Sequence, residues 1–244
     1  MALWHLCISA VIALAAAALV FGAWYPYPYR NLSGGLHLFI TLVVVDVVCG
    51  PLLMFILFNP AKSWQERAVD FSLIGLVQLG ALAYGLYSVA QARPVVTAFE
   101  VDRLVVVTAS LIDSTKLPEA LPEFRHESWV GPRLASVRRA KHGEALESVQ
   151  QSLKGIDPSA RPGWWQPYEQ SLPEIRKQMQ NVVDLRTRLG SGQQQALDVA
   201  VQKTSLPASS LYYLPLVSAK QSNTWIALLD AQGKIVGYAP VDGF

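Results

Sequence analysis

The chain has 244 residues, of which 52% are hydrophobic and 16% charged, and its formal net charge is +2 at pH 7. Such an apolar composition is unusual for a soluble protein, and a charge this small gives no basis for nucleic-acid binding. The charge is also uneven, because residues 1–92 contain only three basic and three acidic residues. The sequence therefore predicts a transmembrane domain over 1–92 and a water-soluble domain over 93–244.

Three apolar stretches in the first domain have the length of membrane-spanning helices. They cover residues 3–24, 36–58 and 69–90. A helix of about 22 residues rises roughly 33 Å, which crosses the hydrocarbon core of a bilayer. These stretches predict a membrane protein with an N-terminal three-helix transmembrane bundle. A cleaved signal peptide is the alternative for the first stretch, but the usual basic residue near its start is missing.

The connections between the stretches predict the orientation of the chain. The second connection carries Lys62 and Arg67, so the positive-inside rule places it in the cytoplasm. The amino terminus is then cytoplasmic as well, and residues 93–244 are external. The first connection, residues 24–35, is rich in tryptophan and tyrosine, which favour the lipid headgroup region.

One acid lies in the middle of the second stretch. Asp46, in the sequence VVVDVVCGPLL, is roughly 15 Å from the start of that helix and thus close to the bilayer midplane. We expect it to be protonated, or hydrogen-bonded to Gln78 of the third helix or to a backbone group. Gly50 and Pro51 follow, and Pro51 leaves the carbonyl of Val47 without its helical donor. The pattern predicts an intramembrane polar and packing site, with proton transfer as the alternative.

Four residues are expected at the membrane interface. Asp70, at the start of the third stretch, is predicted to cap that helix. Pro94 is predicted to end it. Arg93 is expected to contact lipid phosphate or to pair with Asp102, which belongs to the polar turn EVDR.

Two groups of residues are candidates for docking a partner. Ser9, Ala13 and Ala17 recur every four residues, a spacing typical of helix faces that pack closely on another helix, either of the same chain or of a partner. Trp164 and Trp165, in the sequence RPGWWQPY, are expected to stack on a sugar, to cover a partner or to form a lid on their own core.

The second domain begins and ends with strand patterns. Two β-rich runs flank the turn EVDR and predict a hairpin, helical patterns follow, and two alternating runs surround a glycine-containing turn near the C-terminus. The expected strands are 95–99, 104–109, 211–218, 224–230 and 235–241, and the expected helices are 143–155, 171–190 and 193–202. The order indicates an α+β domain with an antiparallel sheet. Both cysteines of the chain, Cys7 and Cys49, lie outside it, so it must fold without disulfides.

Motifs of catalysis, metal binding and cofactor binding are missing from the sequence. There is no H-E-x-x-H, no paired C-x-x-C, no G-x-S-x-G and no phosphate-binding glycine loop. We therefore expect no catalytic residues, no metal and no cofactor, and we predict that the protein is not an enzyme. The basic run RRAKH at 138–142 is followed by Glu144 and Glu147, so it is interpreted as a solvated face.

Several motifs resemble those of the type IV pilin accessory proteins of the TfpX/TfpZ type. They are VDVVCGPLL, FNPAK, VDFSLIGLVQLGALAYGL and ARPVVTAFEVDRLVVV, and the resemblance covers the first 110 residues well and the remainder loosely. It implies a bacterial inner-membrane protein with a periplasmic α+β domain and a chaperone-like role toward the major type IV pilin. Other inner-membrane pilus assembly proteins and membrane lipid are further expected contacts. The resemblance assigns no catalytic role to any residue.

Two other functions fit parts of the sequence. A membrane-anchored sensor would use the external domain to bind a ligand, but the predicted cytoplasmic connection is too short to hold an output domain. A small proton-linked transporter would depend on Asp46 alone.

Overall fold

The structure, a computed structural model, describes residues 2–57, 63–219 and 224–244. In the first part of the chain the structure describes only the backbone at a few helical positions, among them Asp46, Gly50 and Pro51. The chain forms two compact units, Met1–Arg93 and Pro94–Phe244.

The first unit consists of helices. Helix α1 covers Ala2–Leu19 and continues as a π-helical turn, Val20–Trp24, after which come the short α2, Tyr29–Leu32, and the long helices α3, Gly35–Leu57, and α4, Trp64–Gln91. Prolines and glycines in the connection after Trp24 prevent α1 from continuing. Ser63 starts α4 with a capping box, in which its side chain and that of Glu66 each accept a backbone N–H.

Aromatic and aliphatic side chains near Tyr25 form the described core of the first unit. It comprises Ala16, Val20, Trp24, Tyr25, Phe39 and Val89. The ring of Tyr25 covers Gly35, and its hydroxyl donates a buried hydrogen bond of 2.9 Å to the carbonyl of Val89. Tyr25 thereby connects the loop after α1 with the start of α3 and the end of α4.

Two helices of the described residues are long and apolar enough to cross a membrane, Cys7–Trp24 and Trp64–Gln91. The sequence predicts three spans. The described apolar segment of α3, Gly35–Val45, is shorter than a spanning helix.

The second unit is a mixed sheet with helices packed against it. In the described residues its strand order is β4-β3-β1-β2-β6-β7-β8, and β5 pairs with β6. The strands are β1 Pro94–Glu100, β2 Arg103–Thr108, β3 Arg133–Val137, β4 Trp165–Pro167, β5 Gln180–Asn181, β6 Tyr212–Ser218, β7 Ile226–Leu229 and β8 Ile235–Ala239. The helices are α5 Glu144–Leu153, α6 Leu172–Gln178, α7 Val182–Arg188 and α8 Ser191–Lys203.

The prediction of an antiparallel sheet is wrong. The β1–β2 and β7–β8 hairpins are antiparallel, as expected, but β1 pairs with β3 and β2 pairs with β6 in parallel. Parallel neighbours need a crossover connection, and the long irregular segment between β2 and β3 provides one. Because this segment contains several prolines and short 3₁₀ turns, its sequence shows no periodicity that would reveal β3.

The single helix predicted over 171–190 is also wrong, because it is two helices separated by β5. Asn181 ends β5 and caps α7, accepting the backbone N–H of Val183 at 2.7 Å. Strand β5 pairs with Tyr212 and Tyr213 of β6. The helical apolar spacing continues through the break, so the pattern alone did not reveal it.

Candidate functional site

Two arginine side chains lie over the ring of Trp164, at one edge of the second unit. The guanidinium carbon of Arg138 is 4.5 Å from the ring centroid and that of Arg161 is 5.0 Å away. Both distances lie within the range of cation–π attraction. Trp164 therefore holds two cationic groups close together beside α5, and one of them, Arg161, is buried.

The same two arginines bind the polar side of α5. Arg138 forms a bidentate pair with Glu144, at 2.7 and 3.0 Å. Arg161 donates to the hydroxyl and carbonyl oxygens of Ser148, at 3.0 and 2.9 Å, and to the carbonyl of Ile156 at 2.7 Å. Hydrogen bonds from Arg138 and from the backbone N–H of Lys141 lower the pKa of Glu144 to about 2. The helix is thus attached to the unit mainly by charged and polar contacts.

Helix α5 is turned with its apolar side outward. Its half-buried residues are polar: Glu144, Ser148, Gln151 and Ser152. Leu146, Val149 and Leu153 are 71%, 59% and 83% exposed, and no residue of the helix is buried. A surface helix of a globular protein normally shows the opposite arrangement. We call the exposed residues Leu146, Val149 and Leu153 the apolar face of α5.

A groove of about 430 Å³ lies beside α5. Lys116, Arg161 and Trp164 line it, together with acidic side chains such as Glu119 and Glu147. Since both signs of charge are present, the groove does not select an anionic or a cationic ligand. Within the described residues no cluster of histidine, cysteine, aspartate or glutamate could hold a metal ion.

The structure separates the two tryptophans that the sequence singled out. Trp165 is 3% exposed, donates from Nε1 to the carbonyl of Ser159 at 2.7 Å and packs edge-on against Phe124. Trp165 thus belongs to the core and is not available to a partner. Trp164 is partly exposed beside α5, which leaves it as the member of the pair that a partner can reach.

The small residues of α1 are half-buried. Ser9, Ala13 and Ala17 share this intermediate exposure, and Ala17 packs against the core around Tyr25. Contacts within the chain therefore account for part of this face. Gly22, in the π-helical turn after α1, has free space beside it, because a Cβ at this position would meet no atom within 4 Å.

The predicted contact between Asp46 and Gln78 lies outside the described residues, because the side chain of Asp46 is not among them. The same holds for the packing roles expected of Gly50 and Pro51, although the backbone of α3 is helical through all three positions. The Nε2 of Gln78 is buried and has no hydrogen-bond partner within the described part of the chain.

Three of the four predicted interface residues have contacts within the chain, and their location at a membrane interface stays a prediction. Asp70 lies inside α4, whose cap is Ser63. Arg93 is 4% exposed and donates to the carbonyl of Ala90 at 2.7 Å, so it satisfies the end of α4. Asp102 pairs with its neighbour Arg103, at 2.7 Å.

Pro94, the fourth interface residue, does follow the third apolar helix, as predicted, and is the first residue of β1.

The hairpin of β1 and β2 has an unusual turn between its strands. Val101 has φ of +60°, and the N–H of Asp102 donates to the carbonyl of Glu100 at 2.8 Å. This is a three-residue γ-turn, and a β-branched residue at positive φ is strained.

The orientation of α5 is the feature of this site that sequence reasoning missed. Its apolar residues, three and four positions apart, were visible in the sequence as a helical stripe. Which side of the helix would face the domain depends on Arg138 and Arg161, and Arg161 lies thirteen residues beyond Ser148.

Comparison with known proteins identifies the family. A family model described as Fimbrial assembly protein FimB matches residues 1–34. A relative from Dichelobacter nodosus, "Fimbrial assembly protein, serogroup E1", is 40% identical over 241 residues, which are 98% of this chain and 93% of the relative. The chain belongs to the fimbrial assembly protein family. This confirms the family resemblance seen in the sequence motifs.

Two further relatives from the same organism support the assignment. "Fimbrial assembly protein, serogroup I" is 39% identical over 241 residues, 98% of this chain and 93% of the relative. "Fimbrial assembly protein, serogroups C1 and C2" is 43% identical over 116 residues, 48% of this chain and 88% of the relative. No solved structure matches the chain significantly.

Proposed function

We propose that this member of the fimbrial assembly family is a non-catalytic inner-membrane accessory factor that assists the stability of type IV pilin and the assembly of pili. The observation that carries the proposal is the 40% identity, over 98% of the chain, to a protein named for fimbrial assembly. The major pilin is the proposed partner, and other inner-membrane pilus assembly proteins are further candidates.

A membrane location is supported by the apolar surface of the first unit. Large aliphatic side chains of α1 and α4 are exposed, including Val11, Leu14, Leu76 and Leu79. In water this surface would be unfavourable, and in lipid it is solvated by acyl chains. We propose that α3 spans the membrane together with α1 and α4, forming a three-helix bundle.

The proposed orientation has a cytoplasmic amino terminus and a periplasmic second unit. The cations Lys62 and Arg67 in the short connection before α4 support it through the positive-inside rule. Alkaline phosphatase fused after Phe244 should then be active in intact cells. A cytoplasmic fluorescent reporter at the same position, if it matured efficiently, would contradict this orientation.

Deletion of the gene tests the assembly role. We expect fewer surface pili in a clean, in-frame deletion, and restoration by the wild-type gene in trans, because the pilin would lose a factor that stabilises it before assembly. Electron microscopy and shearing of surface pili provide the measurement. Affinity purification of the tagged protein should also recover the major pilin. Normal piliation in the deletion strain would contradict the proposal.

A further inference from the structure

We propose that the apolar face of α5 inserts into the headgroup region of a phospholipid bilayer that contains anionic lipid. This inference shares with the proposed function only the membrane location of the chain. It assigns a binding surface for lipid to the second unit, outside the apolar helices of the first.

The inverted orientation of α5 is fixed by strong contacts. Arg138 and Arg161 attach the polar side of the helix through a bidentate ion pair and two hydrogen bonds to Ser148, and a third hydrogen bond holds Ile156 just beyond its end. Charge-assisted bonds of this kind are stronger than neutral ones. The exposure of Leu146, Val149 and Leu153 is therefore a fixed feature of the fold. Contact of this apolar surface with water is unfavourable.

The size and shape of the face favour lipid over a protein. A specific and stable protein interface has about 20–30 residues a side, whereas this face has three large side chains, extended by the partly exposed Ile156 beyond the end of α5. A single amphipathic helix that is convex toward its surroundings is the form in which proteins lie in the membrane interface.

The charges around the face favour an anionic surface. Lys141 precedes α5 and Lys154 follows it, and both residues are exposed. Glu144 of the helix is paired with Arg138, whereas Glu147 accepts a hydrogen bond only from the neutral amide of Gln151, at 2.8 Å, and keeps its negative charge. The two lysines therefore outnumber the one unpaired acid of the helix. Cations beside an apolar stripe attract anionic headgroups.

The chain also brings the second unit near lipid. Helix α4 ends at Gln91 and β1 begins at Pro94. If α4 spans the membrane as proposed, this short connection gives α5 a high effective concentration at the bilayer surface, so a small face is sufficient for binding.

Site-directed spin labelling of the full chain tests the inference. The native cysteines are replaced by Cys7→Ser and Cys49→Ser, and the protein is reconstituted at one copy per nanodisc of phosphatidylethanolamine and phosphatidylglycerol. A nitroxide is attached after Leu153→Cys, and a matched control after Val199→Cys, an exposed aliphatic position on α8. We expect the label at position 153 to collide more often with oxygen and less often with a water-soluble nickel chelate than the label at position 199 does. This shift in collision rates is the signature of a position in lipid.

Two changes should reverse that shift. Leu146→Gln with Val149→Gln removes most of the face while leaving the fold intact, because both side chains are exposed. Discs of phosphatidylcholine alone remove the anionic charge. Val183→Gln, at an exposed position of α7, is the matched substitution and should leave the shift unchanged.

Equal water accessibility at positions 153 and 199 would overturn the inference. A protected label that needs two copies per disc would also overturn it, in favour of self-association, and so would protection that needs added pilin. A label after Leu76→Cys on α4 separates this result from the proposed membrane location. If the label at position 76 is exposed to lipid and the label at position 153 is exposed to water, only the α5 inference is contradicted. If the label at position 76 is exposed to water, the proposed membrane span of α4 is contradicted.

Discussion

Gly35 and Gly22 have different surroundings, although both lie in apolar helical segments. A Cβ at Gly35 would overlap the ring of Tyr25, whereas a Cβ at Gly22 meets no atom within 4 Å. The Tyr25 ring cannot move away easily, because its hydroxyl is bound to the carbonyl of Val89. The absence of a side chain at Gly35 therefore matters for packing, and at Gly22 it does not.

We predict that Gly35→Ala destabilises the first unit by about 1–3 kcal/mol, the usual cost of overpacking a core. The control Gly22→Ala should be neutral or slightly stabilising, since alanine is the better helix former. Unfolding of the purified chain in mixed micelles with increasing dodecyl sulfate, followed by circular dichroism, measures both. Equal stability of the two variants would show that Tyr25 does not pack on Gly35 as described.

Val101 is a residue whose backbone conformation conflicts with its side chain. Its φ of +60° places a β-branched residue where glycine is preferred. Because the side chain is 76% exposed, packing does not compensate for the strain.

Val101→Gly is expected to stabilise the second unit by about 1 kcal/mol, because relief of about 1–3 kcal/mol of strain exceeds the backbone entropy cost of glycine, about 0.5–1 kcal/mol. Val101→Ala keeps the Cβ and should gain much less. Urea unfolding of the two variants and the parent distinguishes them, and a loss of stability in the glycine variant would contradict the strained turn.

At the scale of elements, α5 depends on arginine for its attachment. Arg161 reaches two carbonyls and a hydroxyl with its guanidinium, and the single ammonium of a lysine cannot reproduce that geometry. The helix buries no apolar residue of its own, so few other contacts hold it.

We predict that Arg161→Lys increases amide hydrogen exchange in α5 by about tenfold, which corresponds to the loss of one or two net hydrogen bonds. Arg139→Lys is the control, because Arg139 is largely exposed in its pair with Glu174. Mass spectrometry of peptides covering 144–153 provides the readout. Unchanged exchange in the Arg161 variant would mean that other contacts hold the helix.

The elements that could be predicted from sequence are those with local signals. The first hairpin is marked by two β-rich runs around EVDR, α5 by Gly155 at its end, and the last hairpin by Gly233, which has φ of +86°. Strand β3 and the break at β5 could not be predicted, because both exist through pairing with strands distant in the sequence. The sequence also could not show which of Trp164 and Trp165 is buried, because their burial is set by tertiary contacts.

At the scale of the whole molecule, the second unit has the properties of an independent domain. Its two clusters of buried apolar residues, one around Val96 and Trp165 and the other around Leu197 and Ile226, are each formed within Pro94–Phe244. The unit contains no cysteine, so no disulfide bond contributes to its stability.

A fragment of residues 94–244 is therefore expected to fold in water without the first unit. It should unfold cooperatively with temperature, as observed by circular dichroism, and its midpoint should not change when a reducing agent is added. A fragment that shows no cooperative transition would mean that the first unit contributes to its core.

The inverted helix also has a consequence for genetic screens. Side chains that stabilise nothing are invisible to any selection for protein abundance, so substitutions at Leu146, Val149 and Leu153 should score as silent there. A parallel selection for piliation would retain only some of them, if their surroundings in the cell matter. The difference between the two scores, position by position, would outline this surface without purifying the protein.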